Sequence, residues 1–128
     1  NLSNDDNLFI AESKAIRKVA ENGGCVIVGR CSNYILKDNK NVINIFLYSD
    51  DESKIKRAVK YYGLKEKDAL KEINRINKKK EKHYHYYTHE KWKNINNYEL
   101  CINVDVLGAE KTAEYISQYV NNKNYITK

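Results

Sequence analysis

Directly after the apolar run Cys25-Val26-Ile27-Val28 the sequence places Gly29 and Arg30. A glycine lets the backbone approach a ligand closely, and an arginine offers a planar fork that matches a phosphate or a base edge. In an open parallel sheet, ligands bind beyond the C-terminal ends of the strands. Gly29 and Arg30 are therefore candidate substrate-binding residues, against the alternative of an ordinary surface arginine on a loop. A second concentration of charge runs from Arg75 to Lys93, where Lys78, Lys79, Lys80 and Lys82 lead into His83, Tyr84, His85, Tyr86 and Tyr87. Cations on a helical flap could close over a triphosphate and neutralise the charge of a moving phosphoryl group. On that reading Arg75 and Lys80 are the catalytic candidates, and Lys78 and Lys79 hold the donor. The same mixture of bases and aromatics suits single-stranded nucleic acid. It also suits a solvated lysine face with tyrosines as amphipathic packing.

Two smaller constellations carry less. His85 and His89 stand one helical turn apart with Glu81 a turn earlier, a set that could bring two imidazoles and a carboxylate to zinc. The chain has neither His-Glu-x-x-His nor Cys-x-x-Cys, and no metal site is assigned. Cys31, next to Arg30, could act as a nucleophile if its thiol were acidified, but no histidine is placed by sequence to activate it.

The elements that must position these groups follow from periodicity. Leu8 to Glu21 sets Leu8, Phe9, Ala15, Ile16, Val19 and Ala20 on one helical face, with Asn4, Asp5 and Asp6 as cap candidates and Gly23-Gly24 as the stop. Cys25 to Gly29 and Val42 to Tyr48 are apolar runs too short for helices, and both suit strands buried on two faces. Ser32 to Lys37 makes a short helix. Ser49-Asp50-Asp51-Glu52 reads as a capping box opening a helix that turns Ile55, Ala58 and Val59 inward and ends near Gly63. A long basic helical stretch follows from Lys65 to about Trp92, with Ala69, Leu70, Ile73 and Ile76 as its apolar stripe. Tyr98 to Val104 is a third strand, and Gly108 to Val120 a closing helix, with a polar tail after Asn121 that frays. Strands alternating with helices predict an α/β fold: a parallel sheet between helical layers, in one domain spanning residues 1–128.

The chain has 128 residues and a formal net charge of +6, which points to an anionic partner. It contains 11 Tyr but no Pro and no Met, and the missing initiator Met points to a natural N-terminus upstream. Three scattered cysteines make no disulfide framework, which predicts a reducing, cytoplasmic home. No stretch reaches the roughly 18 to 20 apolar residues of a membrane span.

With these residues in place a likeness emerges. Val26-Ile27-Val28-Gly29-Arg30 followed by Asn33-Tyr34-Ile35-Leu36 resembles the strand-and-loop region of the cytidylate-kinase-like family of P-loop nucleoside monophosphate kinases. Ile45-Phe46-Leu47-Tyr48 before Ile55-Lys56-Arg57, and Tyr62-Gly63-Leu64 leading to Ile73, continue the resemblance. Tyr84-x-Tyr86-Tyr87-Thr88 with Lys91-Trp92, then Asn97-Tyr98-Glu99-Leu100-Cys101-Ile102-Asn103, is its most telling part. The likeness covers roughly Leu8 to Val120. It implies a kinase core that moves the γ-phosphoryl of ATP, with Mg²⁺, onto a nucleoside monophosphate such as CMP. Arg30 would contact the monophosphate, Arg57 would lie near the donor adenine, and the segment of residues 65–93 would be the phosphate-clamping lid. Where the family pattern has an Asp and, three residues later, an Arg, this chain has Asn77, a substrate-side position, and Lys80. Where classical members have Asp after Gly-Arg, it has Cys31.

The chain contains no Gly-x-x-x-x-Gly-Lys-Ser/Thr, the loop whose backbone amides cradle phosphates. The resemblance implies that the strand carrying that loop lies in mid-sheet, between Cys25–Gly29 and Val42–Tyr48. The 128 residues are thus expected to be part of a longer kinase, or to close their strands together, or to fill the gap by forming a homodimer. Alone, the chain is expected not to turn over. A catalytically inactive relative with a structural or regulatory role, and a basic module for single-stranded nucleic acid, are the other readings; a membrane partner is not expected.

Overall fold

The computed structural model describes the chain from residue 2 to residue 127, with side chains as far as Lys123. Its elements in order are α1 (Asn4–Asn22), α2 (Ser32–Ile35), β1 (Ile45–Tyr48), α3 (Asp51–Tyr62), α4 (Glu66–Thr88), a 3₁₀ turn (Ile95–Asn97), β2 (Leu100–Asn103) and α5 (Val104–Thr127). The strands β1 and β2 pair in parallel, Ile45 opposite Leu100 and Tyr48 opposite Asn103. Between them run α3 and α4, packed together as an antiparallel-type hairpin around Gly63, whose left-handed φ of 68° ends α3. The α/β class stands, as a helix-rich fold on a small parallel sheet.

The first of the three expected strands does not form. Cys25 to Val28 has no ladder partner among the described residues, and Val26 and Val28 are 92% and 86% exposed. Apolar, β-branched residues favour an extended backbone, but a strand needs a neighbour to accept its hydrogen bonds. β1 takes β2 on one side and no described residue on the other, so its Leu47 and Tyr48 are exposed instead of doubly buried. The expected closure of Cys25–Gly29 onto the second strand therefore does not occur.

Several helix boundaries move for identifiable reasons. The cap of α1 is Ser3, whose Oγ accepts from the amide of Asp6 at 3.1 Å, so the helix starts ahead of Leu8. Its buried residues are Ser13 and Ile16, while Leu8 and Val19 of the expected inner face are exposed. Phe9 instead stacks on Tyr87 of α4, ring centroids 4.0 Å apart and 13° from parallel. The last helix begins at Val104, directly off β2, kinks at Gly108, and continues through Val120 to Thr127 in place of a frayed tail. Gly108 has φ 79° and ψ 167°, a conformation essentially confined to glycine. Ala69 of α4, Ala58 of α3 and Ile102 of β2 are the small and branched residues at the centre of packing, with Ala69 fully buried.

Candidate functional site

The exits of the two parallel strands converge. Tyr48 and Asn103 are the last paired residues of β1 and β2, and the segments just past them are bound to each other. Asn103 Oδ1 accepts from the amide of Asp105 at 3.0 Å, which turns the Asp105 carboxylate back over the strand ends. The hydroxyl of Ser49 donates to Asp105 Oδ1 at 2.7 Å, and the amide of Asp50 donates to Oδ2 at 2.8 Å. Arg57, one and a half turns into α3, brings a guanidinium nitrogen to 3.7 Å from the same carboxylate. The hydrogen bond from the Asp50 amide, followed by the one from Ser49, holds Asp105 at a pKa of about 2. This places Arg57 where parallel sheets bind ligands, beyond the C-terminal ends of the strands.

Arg30 sits on a second loop with an unusual backbone. Gly29, Arg30 and Cys31 follow one another at φ 67°, 58° and 56°, three left-handed residues in a row, two of them not glycine. Such residues cost on the order of 1–3 kcal/mol each unless their surroundings dictate them. Here the Cys31 carbonyl accepts from Tyr34 and Ile35 as α2 begins, and the Cys31 side chain is buried. The Arg30 side chain remains 66% exposed, 3.9 Å from Glu12 of α1. Burial, then the nearby Glu12, pushes the Cys31 thiol up to about 11. That is the opposite of the acidified thiol a nucleophile requires.

The Arg30 loop and the basic helix are joined. Asn33 donates its amide to the Tyr84 hydroxyl at 3.0 Å, and Tyr84 is buried. Asn77 and Glu81 share the α4 stripe of Tyr84 and Thr88 by helical spacing, and both are half-buried. Asn77 thus lies about two turns up the helix on the same stripe as Tyr84. Lys78 and Lys79 are exposed. Lys80 extends its ammonium over the ring of Trp92 at 5.9 Å, and Lys93 does the same at 6.0 Å while pairing with Glu81 at 3.1 Å. Arg75 gives its fork to Glu72, with contacts of 2.6 to 3.2 Å, and shares a shallow groove with Lys67, Lys71 and Lys78 on another face of α4. The structure thus ties α2, just after Arg30, to Tyr84 of the basic helix, leaves Arg30 beside Glu12, sets Arg57 at the strand exits, and holds Arg75 and Lys80 against internal partners.

Trp92 anchors the return from the helix to the sheet. Its ring meets Phe46 of β1 edge-on at 5.7 Å, and the Tyr98 hydroxyl donates to its carbonyl at 2.6 Å. The His85 and His89 rings lie 6.4 Å apart, and no group of three metal-ligating side chains occurs among the described residues. No described helix is long and apolar enough to cross a membrane. Sequence reasoning missed Asp105 and read Ser49 as a helix cap instead of its partner. The sequence signals were an acid and a hydroxyl, each just past an expected strand, and both occur widely for other reasons.

A solved structure described as an uncharacterized protein from Eubacterium ventriosum ATCC 27560 has the same fold, with a TM-score of 0.86 at 30% identity. The match covers 94% of this chain and 69% of that one. None of the curated proteins matches the chain. A family model does, over residues 1–106, a stretch that takes in the Arg30 loop, both strands, the basic helix and Asp105 itself. By that match the chain belongs to the cytidylate kinase-like family.

Proposed function

We propose that the parent protein is a nucleotide kinase that transfers a phosphoryl group from ATP to a nucleoside monophosphate of the CMP kind, with this chain supplying the acceptor-side arginine, the donor-side arginine and the lid. The observation that supports this reading is the Asn33–Tyr84 hydrogen bond, which ties α4, the helix that bears Lys78, Lys79 and Lys80, to α2 three residues after Arg30. In the reaction, an oxygen of the acceptor phosphate attacks the γ-phosphorus of ATP. The bond from that phosphorus to the β–γ bridging oxygen breaks, and ADP leaves with the electron pair. Arg30 holds the acceptor phosphate with its guanidinium. The α4 lysines neutralise equatorial charge on the phosphoryl group in flight, and Arg57 lies against the donor base. All of this is positioning and charge compensation, the terms that dominate phosphoryl transfer.

Mg²⁺ would take phosphate oxygens, waters and one or two carboxylates. Cys31, a buried thiol, does not fit that set of oxygen ligands. The phosphate-cradling loop belongs, on this proposal, to the parent protein, on a strand that pairs with the open edge of β1 beside Val26 and Val28.

The test is a titration of the chain by chemical shift with CMP and with Mg-ATP, taking Arg30→Ala as control. Saturable CMP binding that disappears in Arg30→Ala supports the acceptor site, and indifference to both nucleotides sinks the proposal. A second reading, a catalytically inactive relative, is favoured by Cys31. A buried thiol held at about 11 carries no charge at neutral pH where classical members have a carboxylate. Phosphorylation of CMP by the parent protein at kinase-like rates, about 1 per second or faster, would exclude it.

A further inference from the structure

We infer that Asp105 is a positioning residue for the donor nucleotide: with Ser49 it forms a latch across the exits of β1 and β2 that fixes where the guanidinium of Arg57 points. The inference rests on the proposed donor-side role of Arg57. Four separate groups converge on one residue, three of them on its carboxylate. Asn103 holds the Asp105 backbone, Ser49 and the Asp50 amide occupy its two oxygens, and Arg57 approaches Oδ1 at 3.7 Å. The Asp105 side chain is only 18% exposed, while that of Arg57 is 45% exposed. The acid is therefore the fixed member of the pair and the arginine the presented one. An arginine on an exposed helix face otherwise samples many rotamers, and a fixed carboxylate 3.7 Å away favours those that point the guanidinium across the strand exits.

The latch is also placed to couple two segments. Ser49 and Asp50 end β1 and open α3, whereas Asp105 opens α5, so the carboxylate joins the chain on either side of the α3–α4 hairpin. A ligand lying across the strand ends meets the Arg57 guanidinium in one orientation, with its face free to stack on a base and its remaining donors free for an acceptor.

The experiment is a chemical-shift titration of the 128-residue chain with Mg-ATP and, separately, with CMP. It compares wild type, Asp105→Asn, Arg57→Ala and the double variant Asp105→Asn/Arg57→Ala. Asp105→Asn is expected to weaken Mg-ATP binding about fivefold, the upper scale of a partly exposed ion pair. CMP binding should be unchanged within about twofold, and adding Asp105→Asn to Arg57→Ala should cost nothing more. A merely structural Asp105 would weaken both ligands, or weaken Mg-ATP equally with and without Arg57, and either result overturns the inference. Ser49→Ala, which leaves the carboxylate in place, should show a smaller loss of the same selectivity. It replaces Asp105→Asn as the test if that variant loses its helical circular dichroism, and an unchanged Mg-ATP affinity in Ser49→Ala would then overturn the inference. Wild-type protein that binds CMP but not Mg-ATP removes the donor role of Arg57, and this inference falls with it. Wild-type protein that binds Mg-ATP and ignores Asp105→Asn leaves the proposed function standing and removes this inference alone.

Discussion

Ser49 gives its hydroxyl to Asp105 across 56 residues of chain, at 2.7 Å, and so is not the residue that caps α3. The cap is its neighbour Asp50, whose Oδ1 accepts from the amide of Ser53 at 2.8 Å. The run Ser49-Asp50-Asp51-Glu52 therefore divides its work, one side chain reaching across the sheet and the next starting the helix.

That division has an energetic consequence for mutation. Asp50→Ala should destabilise the protein by about 1 kcal/mol, the usual cost of a lost N-cap, and Asp50→Ser should recover most of it. Urea denaturation of the pair checks this assignment. A silent Asp50→Ala would return the capping role to Ser49.

The carboxylate at the strand exits makes stability depend on acidity. Its ordinary value of 3.8 is lowered in the folded protein to about 2 by the Asp50 amide and the Ser49 hydroxyl. A depressed carboxylate stabilises fully above its unfolded pKa and loses that contribution as pH falls toward its folded one. The melting-temperature gap between wild type and Asp105→Asn should thus be widest above pH 3.8 and close as pH approaches 2. A gap independent of pH across that window would mean the carboxylate's charge contributes nothing.

Two helix ends should respond to glycine in opposite senses. His89 ends α4 at φ 59° and Gly63 ends α3 at φ 68°, both in the left-handed region. His89→Gly relieves a strained backbone and should stabilise by about 0.5 kcal/mol, whereas Gly63→Ala introduces the strain and should cost about 1 kcal/mol. Thermal melts of the two variants moving in the same direction would contradict the cap geometry.

Thiol labelling should rank the cysteines. Cys25 is exposed, Cys101 half-buried and Cys31 buried with its thiol raised to about 11. At pH 8 a thiol at that value is ionised in only about one molecule in a thousand, and only the thiolate reacts. Iodoacetamide at pH 8, followed by peptide mass spectrometry, should modify Cys25 first and Cys31 last. Early modification of Cys31 would revive it as a reactive group.

What was legible in the residues followed from local physics. The long basic helix expected from Lys65 to about Trp92 forms as Glu66–Thr88, although Leu70 and Ile76 of its expected apolar stripe are exposed. The strand expected over Tyr98 to Val104 forms as the shorter Leu100–Asn103, and Gly23 and Gly63 were legible as helix stops. What was not legible depended on residues far apart in sequence. Val26 and Val28 have the composition of a buried strand, and only the absence of a described neighbour leaves them exposed. Asp105 reads from the sequence as a polar residue between the expected strand and the helix expected from Gly108, so its role as a hub appears only when Ser49 and Arg57 are brought to it. Arg30 was legible as a candidate from its place after the run, but its backbone conformation was not.

The left-handed trio Gly29-Arg30-Cys31 gives that loop a curvature written into the backbone. A glycine-rich loop would reach the same curve only transiently and would lose its freedom on meeting a ligand. Here the ordering cost falls at folding, where the buried Cys31 and the start of α2 secure it. Arg30 meets an incoming anion with only its side chain left to immobilise, so association at this loop should proceed with little entropic penalty from the main chain.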